Sequence, residues 1–250
     1  MILNESFFAV WQPGSGGQRW HPDLDAGKFE SLHSSYAEQG MHLTAIDIWR
    51  ASPVPPRRSY CGVWQSGAVT QYLEPSLSIA EFKAQDDTHF AKGRRLAAFD
   101  IDETGRICAL WQAGSGNQLW CADYKFADIL PLSKEQHKLG MRLSMVRQHG
   151  QDKFAAVWHP GSGAQWWAAG MSEDGFKGSD SAYLNSGLRL NCLDCYSGTF
   201  NAVWGPGAGT QQVHWNMSFG ELKSLDDGYF AQGLRLKVLK RAGIGKSAHK

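Results

Sequence analysis

Apolar and polar positions along this chain alternate in short bursts and then change period. In "FAAVW", residues 154 to 158, the residues are strand formers in a strand-like pattern. Pro160, Gly161, Ser162 and Gly163 interrupt it, and a second burst, "QWWAAG", follows. Phe176 and Tyr183 then stand seven residues apart, which puts them on one face of a helix. Gly187 is a natural helix stop, because glycine accepts the left-handed conformation there. "LRLNCL" resumes a strand, with leucines on one face and Arg189 on the other. The predicted order is strand, strand, helix, strand, and the Pro-Gly-Ser-Gly segment reads as a hairpin turn.

The same order recurs. "WQPGSGGQRW" begins at Trp11, "WQSGAVTQYL" at Trp64, "WQAGSGNQLW" at Trp111, "WHPGSGAQWW" at Trp158 and "WGPGAGTQQV" at Trp204. The tryptophans are 53, 47, 47 and 46 residues apart, and the proline-rich "SPVPPR" at 52 to 57 reads as a loop insertion in the longest gap. Gln18, Gln71, Gln118, Gln165 and Gln211 hold one matched position, and Trp20, Leu73, Trp120, Trp167 and Val213 the next apolar one. Phe29, Phe82, Ile129, Phe176 and Leu222 mark the helix. Gly40, Gly93, Gly140, Gly187 and Gly233 end it, before "GMHL", "GRRL", "GMRL", "GLRL" and "GLRL". Ser78 with Glu81, and Ser218 with Glu221, form capping boxes; Asp25 and Ser172 occupy the cap position, where Lys125 breaks the rule.

These units predict an α+β fold of five strand-strand-helix-strand repeats, at about 7–49, 59–102, 106–147, 153–195 and 199–240. They form one domain over 1–240, followed by a basic flexible tail at 241–250. The third strand of each unit runs by a short turn into the first strand of the next, so three-stranded sheets straddle unit boundaries. The first sheet then lacks a strand and the last unit has one to spare. Pairing the two closes a propeller-like ring with five-fold pseudosymmetry and no open edge. The alternative is an open solenoid, which leaves two unprotected ends.

Composition narrows the function classes. The net charge of +1 gives no electrostatic case for nucleic acid. No apolar run approaches the roughly 18 residues of a membrane helix, and "MILNESFFAVWQPG" lacks the basic start and apolar stretch of a secretory signal. Five cysteines, an odd number, argue against a disulfide framework. The expected location is cytoplasmic, or outside the cell by release without a classical signal peptide. Eleven tryptophans are many for 250 residues, and each must serve as core or as a binding platform.

The repeat "FAAVWHPGSGAQWW…FKGSDSAYLNSGLRL" resembles a tandem-repeat family found widely in bacteria, and the N-terminal, non-catalytic domain of fungal polyglycine hydrolases. The likeness covers about residues 7 to 240. Repeat 2 lacks the Gly-Ser-Gly turn and repeat 3 lacks both helix aromatics. The resemblance implies a non-catalytic role, since the catalytic serine of those hydrolases belongs to a separate β-lactamase-like domain. "SAHK" at the extreme C-terminus is the only Ser-x-x-Lys of that type here.

Local motifs give little chemistry. Ser162 has His159 near it in sequence, but the matching residues are Gln12, Gln65, Gln112 and Gly205, and a nucleophile is not needed five times. The Gly-Ser-Gly turn leads into a strand, not a helix N-terminus, and so is no phosphate cradle. Cys192 and Cys195, three apart on a strand, point to opposite faces and lack a second ligand pair for zinc. Five-fold α/β rings also occur among guanidine-modifying enzymes, with a cysteine nucleophile at the centre, but that analogy is one of fold alone. The repeated arginine, Arg95, Arg142, Arg189 and Arg235 with His42 in the first copy, is expected to stack on a tryptophan or pair with Asp226 or Asp180.

The expectation is therefore a non-enzymatic, multivalent binding protein without metal or cofactor. Its partner is a glycan or a protein, not nucleic acid, and it does not insert into a membrane. In the lectin-like, carbohydrate-binding version, Trp20, Trp120, Trp166 and Trp167 stack on sugar rings and Gln18, Gln118, Gln165 and Gln211 bond hydroxyls at the turns. The alternatives are a protein-recognition ring associated with a hydrolase, and an enzyme with one unrepeated central site.

Overall fold

The computed structural model describes residues 6–53 and 56–241. The order is β1 (Phe7–Pro13), β2 (Gln18–Leu24), α1 (Ala26–Glu38), β3 (Met41–Pro53), β4 (Pro56–Ser66), β5 (Gln71–Leu77), α2 (Ile79–Ala91), β6 (Arg94–Ile101), β7 (Ile107–Ala113) and β8 (Leu119–Tyr124). It continues with α3 (Phe126–Lys138), β9 (Met141–Gly150), β10 (Lys153–Pro160), β11 (Trp166–Met171), α4 (Glu173–Asn185), β12 (Leu188–Tyr196), β13 (Thr199–Pro206), β14 (Gln212–Met217), α5 (Phe219–Ala231) and β15 (Leu234–Arg241). The fold is α+β and built from five repeated units. The expected tail lies outside the described residues except for Arg241, and "SAHK" lies wholly outside them.

The helices form where their ends are satisfied. Ser78 and Ser218 make full capping boxes, and Asp25 and Ser172 accept from backbone N–H groups three residues on. Lys125 gives no side-chain cap; Asp152, from the following hairpin, accepts from Phe126 N at 3.1 Å instead. The five matched glycines after the helices all have positive φ, between 70° and 80°.

The strands form five three-stranded antiparallel sheets, ordered β2-β4-β3, β5-β7-β6, β8-β10-β9, β11-β13-β12 and β14-β1-β15. Each sheet straddles a unit boundary, with the first strand of one unit between the second and third strands of the unit before. β1 follows the same rule, pairing with both β14 and β15, so the first strand of the chain is held by the last unit. The third strands touch in succession, β3 to β6, β6 to β9, β9 to β12, β12 to β15 and β15 to β3.

Two expectations are corrected. The Pro-Gly-Ser-Gly segments are not hairpin turns, because β1 and β2, and each matching pair, lie in different sheets. They carry the chain from the middle of one sheet to the edge of the next. The period of a strand fixes its two faces and says nothing about its neighbour. In the insertion at 52 to 57, residues 52–53 and 56–57 belong to β3 and β4 rather than to a loop, with Ser52 opposite Arg57 and Pro53 opposite Pro56, and residues 54–55 lie outside the described ones.

The core follows the repeat. Trp11, Trp64, Trp111, Trp158 and Trp204 are fully buried, as are Phe29, Phe82, Ile129 and Leu222, with Phe176 at 1% exposure. Each hydrophobic cluster draws on two neighbouring sheets; Trp111 and Phe82, for example, share a cluster with Met145, Ala155 and Val157. Burial of this kind, at about 25 cal/mol per Å² of apolar surface, holds sheet to sheet as well as helix to sheet.

Candidate functional site

The repeated glutamines are joints between sheets. Gln18, on β2, accepts from Leu236 N of β15 at 2.7 Å and donates to Asp226 of α5 at 2.9 Å. Gln118 does the same with Leu96 N and Asp86, and Gln211 with Leu190 N and Asp180. In these three repeats the same aspartate accepts from the buried tryptophan, as Trp11 to Asp226, Trp111 to Asp86 and Trp204 to Asp180, at 2.8 to 2.9 Å. Where the matched helix position holds His33 or Ser133 in place of aspartate, Gln71 and Gln165 turn their amide NH₂ to a backbone carbonyl, that of Leu43 or Leu143. Ser133 then takes the Trp158 N–H at 3.5 Å, while Trp64 Nε1 and His33 Nδ1 are left buried without a partner.

The sequence-predicted aromatics sit at the same joints. Trp20 donates to Asp226 at 2.6 Å, Trp120 packs edge-on against Phe82, and Trp167 packs edge-on against Phe126. Trp166 differs: it is 56% exposed and stacks on Tyr183. The eight predicted residues thus lie at four separate junctions and do not converge on one site.

The repeated arginine closes the same joints from outside, with its Nε donating to a turn carbonyl of the next unit. The pairs are Arg95 to Gly116, Arg142 to Gly163, Arg189 to Gly209 and Arg235 to Gly16. His42 meets Gly67 O at 2.9 Å, so the divergent residue and the divergent turn of repeat 2 match. This corrects the expected carboxylate pairing and stacking on tryptophan. The acceptor is a carbonyl, and the rings under Arg95 and Arg235 are Phe90 and Phe230. The turn needs glycine here: Gly163 has φ +82°, and a Cβ would come within 2.7 Å of Pro206.

What converges lies between the five third strands. Seven residues after each helix-ending glycine comes a charged residue: Asp47, Asp100, Arg147, Asp194 and Lys240. All five are buried. Lys240 Nζ lies 2.8 Å from carboxylate oxygens of Asp47 and Asp100 and 3.8 Å from Asp194, and Arg147 Nε lies 2.9 Å from Asp100. Each aspartate also accepts a backbone N–H from the preceding third strand: Asp47 from Arg241, Asp100 from Ile48 and Asp194 from Gln148. Three carboxylates thus face two cations. Burial, with Asp100 adding to it against the pull of Lys240, raises Asp47 to about 6. Burial opposes charge on Lys240, but Asp100 and Asp47 together hold its ammonium above the ordinary value. Sequence reading missed this layer, although charge at one matched position in all five repeats was its signal.

The layer divides two spaces. On one side a cavity of about 330 Å³ is lined by Trp49, Asp102, Glu103, Tyr196 and Ser197. On the other a cavity of about 190 Å³ opens into an outer one of about 540 Å³. Four residues after each helix-ending glycine stand Thr44, Ala97, Ser144, Asn191 and Lys237, and all five line the inner of these two cavities. His159 lines both, with Nδ1 2.8 Å from Ser144 Oγ. Burial lowers its pKa below the ordinary imidazole value, with Asp86 opposing and Arg95 assisting. Ser162 is not its partner. Lys237 is exposed and has no carboxylate partner among the described residues.

The cysteines are free. Cys61, Cys108, Cys121 and Cys192 are buried, and Cys192 Sγ accepts from Arg147 Nη1 at 2.8 Å. No helix among the described residues is long and apolar enough to cross a membrane. No protein-family model matches the chain, and no curated protein matches it.

Proposed function

We propose that this protein is a closed five-fold ring that binds a small, oxygen-rich, anionic ligand in the funnel at its centre. An acidic sugar unit of a glycan is the most concrete version. Closure is supported by β1 lying between β14 and β15, and by glutamine joints that run from every sheet to the one before it. An open solenoid would leave β1 without those partners.

One observation carries the ligand reading: five different strands deliver Thr44, Ala97, Ser144, Asn191 and Lys237 to one cavity. Hydroxyls and a carboxamide suit sugar hydroxyls, and the exposed ammonium suits a carboxylate. The turns are a weaker choice, because their glutamines are already committed to the joints. A binding role also agrees with the resemblance to a non-catalytic repeat domain. A second reading keeps a single glycan platform at Trp166 on Tyr183, favoured by its 56% exposure.

A glycan array followed by titration calorimetry tests both. The funnel reading expects acidic glycans to bind, with Lys237→Ala weakening affinity at least about tenfold and Trp166→Ala leaving it unchanged. Loss in Trp166→Ala with retention in Lys237→Ala would move the site to the platform. Absence of binding to any glycan would overturn both readings.

A further inference from the structure

In the matched column of the first strands, four positions hold Gln12, Gln65, Gln112 and Gly205, and the fifth holds His159. The glutamines serve as joints: Gln12 donates to Leu190 O and Gln65 to Leu236 O. Each also donates to the oxygen of the next glutamine, Gln211 or Gln18, which in turn bonds a helix aspartate. His159 keeps that link and adds a hydroxyl at its other end, in a chain of four side chains. Ser144 Oγ is 2.8 Å from His159 Nδ1, His159 Nε2 is 3.1 Å from Gln118 Oε1, and Gln118 Nε2 donates to Asp86 Oδ1 at 2.8 Å.

The direction of the protons follows from the ends of this chain. Gln118 has its NH₂ on Asp86, and its Oε1 accepts from Leu96 N at 2.7 Å. The atom facing the histidine is therefore an acceptor, so His159 Nε2 carries the proton. In the neutral ring Nδ1 is then an unprotonated base, and it points at Ser144 Oγ. This is the arrangement of an activated serine: nucleophile, base, and a third group that fixes the tautomer of the base. Ser144 Oγ also lies 3.0 Å from Val157 O, as Thr44 Oγ1 lies 3.1 Å from Val63 O at the same position in repeat 1, so what sets Ser144 apart is the imidazole base, which Thr44 lacks. Ser144 and His159 both line the inner and outer cavities, together with Asn191 and Lys237.

We infer that Ser144 is a nucleophile and His159 its general base, in a site that hydrolyses short-chain acyl esters of hydroxylated compounds. Ser144 Oγ attacks the ester carbonyl carbon while its proton passes to His159 Nδ1. Lys237 and Asn191 are the donors available to the oxyanion. The carbon–oxygen bond to the alcohol breaks, and the alcohol leaves with the proton held by His159. Water then adds to the acyl carbon, giving its proton to His159. The bond to Ser144 Oγ breaks and the serine takes that proton back. The products are one acid and one alcohol, and water is the only co-reactant. Gln118 and Asp86 are positioning residues. This adds a reaction to the site read above as a binding site, and it does not depend on the identity of the bound glycan.

The test uses the full chain with two probes, a fluorophosphonate and p-nitrophenyl acetate, with the modified residue located by peptide mass mapping. The expected result is one adduct, on Ser144, and none on Thr44. Ser144→Ala should abolish it. His159→Gln places in repeat 4 the residue that three other repeats carry, so it should fold; it should slow labelling and ester turnover by roughly 10²–10⁴. Gln118→Leu removes the acceptor that holds the His159 Nε2 proton, so it should shift the pH profile of ester turnover as well as lower its rate; a lower rate with an unshifted profile would overturn the positioning role. Adducts only on lysines, no labelling above the heat-denatured control, or equal rates in wild type and His159→Gln would each overturn the inference. Glycan titration of the wild-type chain, run in parallel, reports the binding reading separately, because it involves no acyl ester.

Discussion

Replacing Lys240 by methionine keeps the length of the side chain and removes one of two cations from the buried layer. Lys240 is 4% exposed, and it contacts Asp47 and Asp100 at 2.8 Å and Asp194 at 3.8 Å. The variant leaves three carboxylates facing Arg147 alone. Removing one member of a buried ion pair costs about 3–5 kcal/mol, because the charges left behind can neither reach water nor pair. That is a large part of the roughly 5–15 kcal/mol that holds an ordinary domain together. The loss must also depend on pH. The unpaired carboxylates bind protons more tightly in the folded variant, so acid restores stability at roughly 1.4 kcal/mol per pH unit for each extra proton held. Urea unfolding followed by tryptophan fluorescence, at pH 7.5 and pH 5, measures both. Lys240→Met should lose about 3–5 kcal/mol at pH 7.5 and clearly less at pH 5, and Lys240→Met with Asp47→Asn should recover about 1 kcal/mol or more. A loss below about 1 kcal/mol at pH 7.5, or an equal loss at both values, would refute the view that this layer is a desolvated charge network.

Asp47 makes a prediction of its own. The folded state keeps its proton up to about 6 and the unfolded chain releases it near 3.8, so the folded state binds more protons between these values. Its contribution to stability is greatest at low pH and falls by roughly 3 kcal/mol as pH rises through this window; the difference between wild type and Asp47→Asn, measured by urea unfolding from pH 4 to 7, should show that fall and flatten above pH 7. Gln18→Ala leaves Leu236 N without its acceptor and takes from Asp226 Oδ1 one of its two donors, Trp11 remaining, so it should cost about 1–3 kcal/mol by the same assay. His33→Asp supplies repeat 1 with the acceptor that Asp226, Asp86 and Asp180 provide elsewhere, and should stabilise by about 1 kcal/mol, seen as a raised midpoint of thermal unfolding. Trp166→Ala should change stability by less than about 0.5 kcal/mol, because this ring lies on the surface.

The repeat, the helix caps and the straddling of unit boundaries were legible because each rests on local chemistry: a turn residue, a cap, a change of period. The neighbour of the second strand was not, since "QWWAAG" reads the same whether it folds back on "FAAVW" or pairs with the next unit. Invariance of the glutamine was equally ambiguous, because a joint and a ligand site both preserve it. The buried layer was hidden differently. Asp47, Asp100, Arg147, Asp194 and Lys240 interrupt apolar strands and differ in type and sign, so a comparison by residue type passes over a position that comparison by presence of charge finds at once. His159 was discounted because its column holds glutamines, yet departure from the repeat is what sets it apart. The residue it bonds, Ser144, is fifteen positions away and on another strand.

Hydrogen–deuterium exchange of the β1 amides, residues 7 to 13, tests the closed ring most directly. Those amides lie between β14 and β15, at the two ends of the chain. If the ring is closed, they exchange as slowly as those of β4, β7, β10 and β13, the middle strands of the other sheets. Rapid exchange of β1 beside a protected β13 would show an open array and contradict the account.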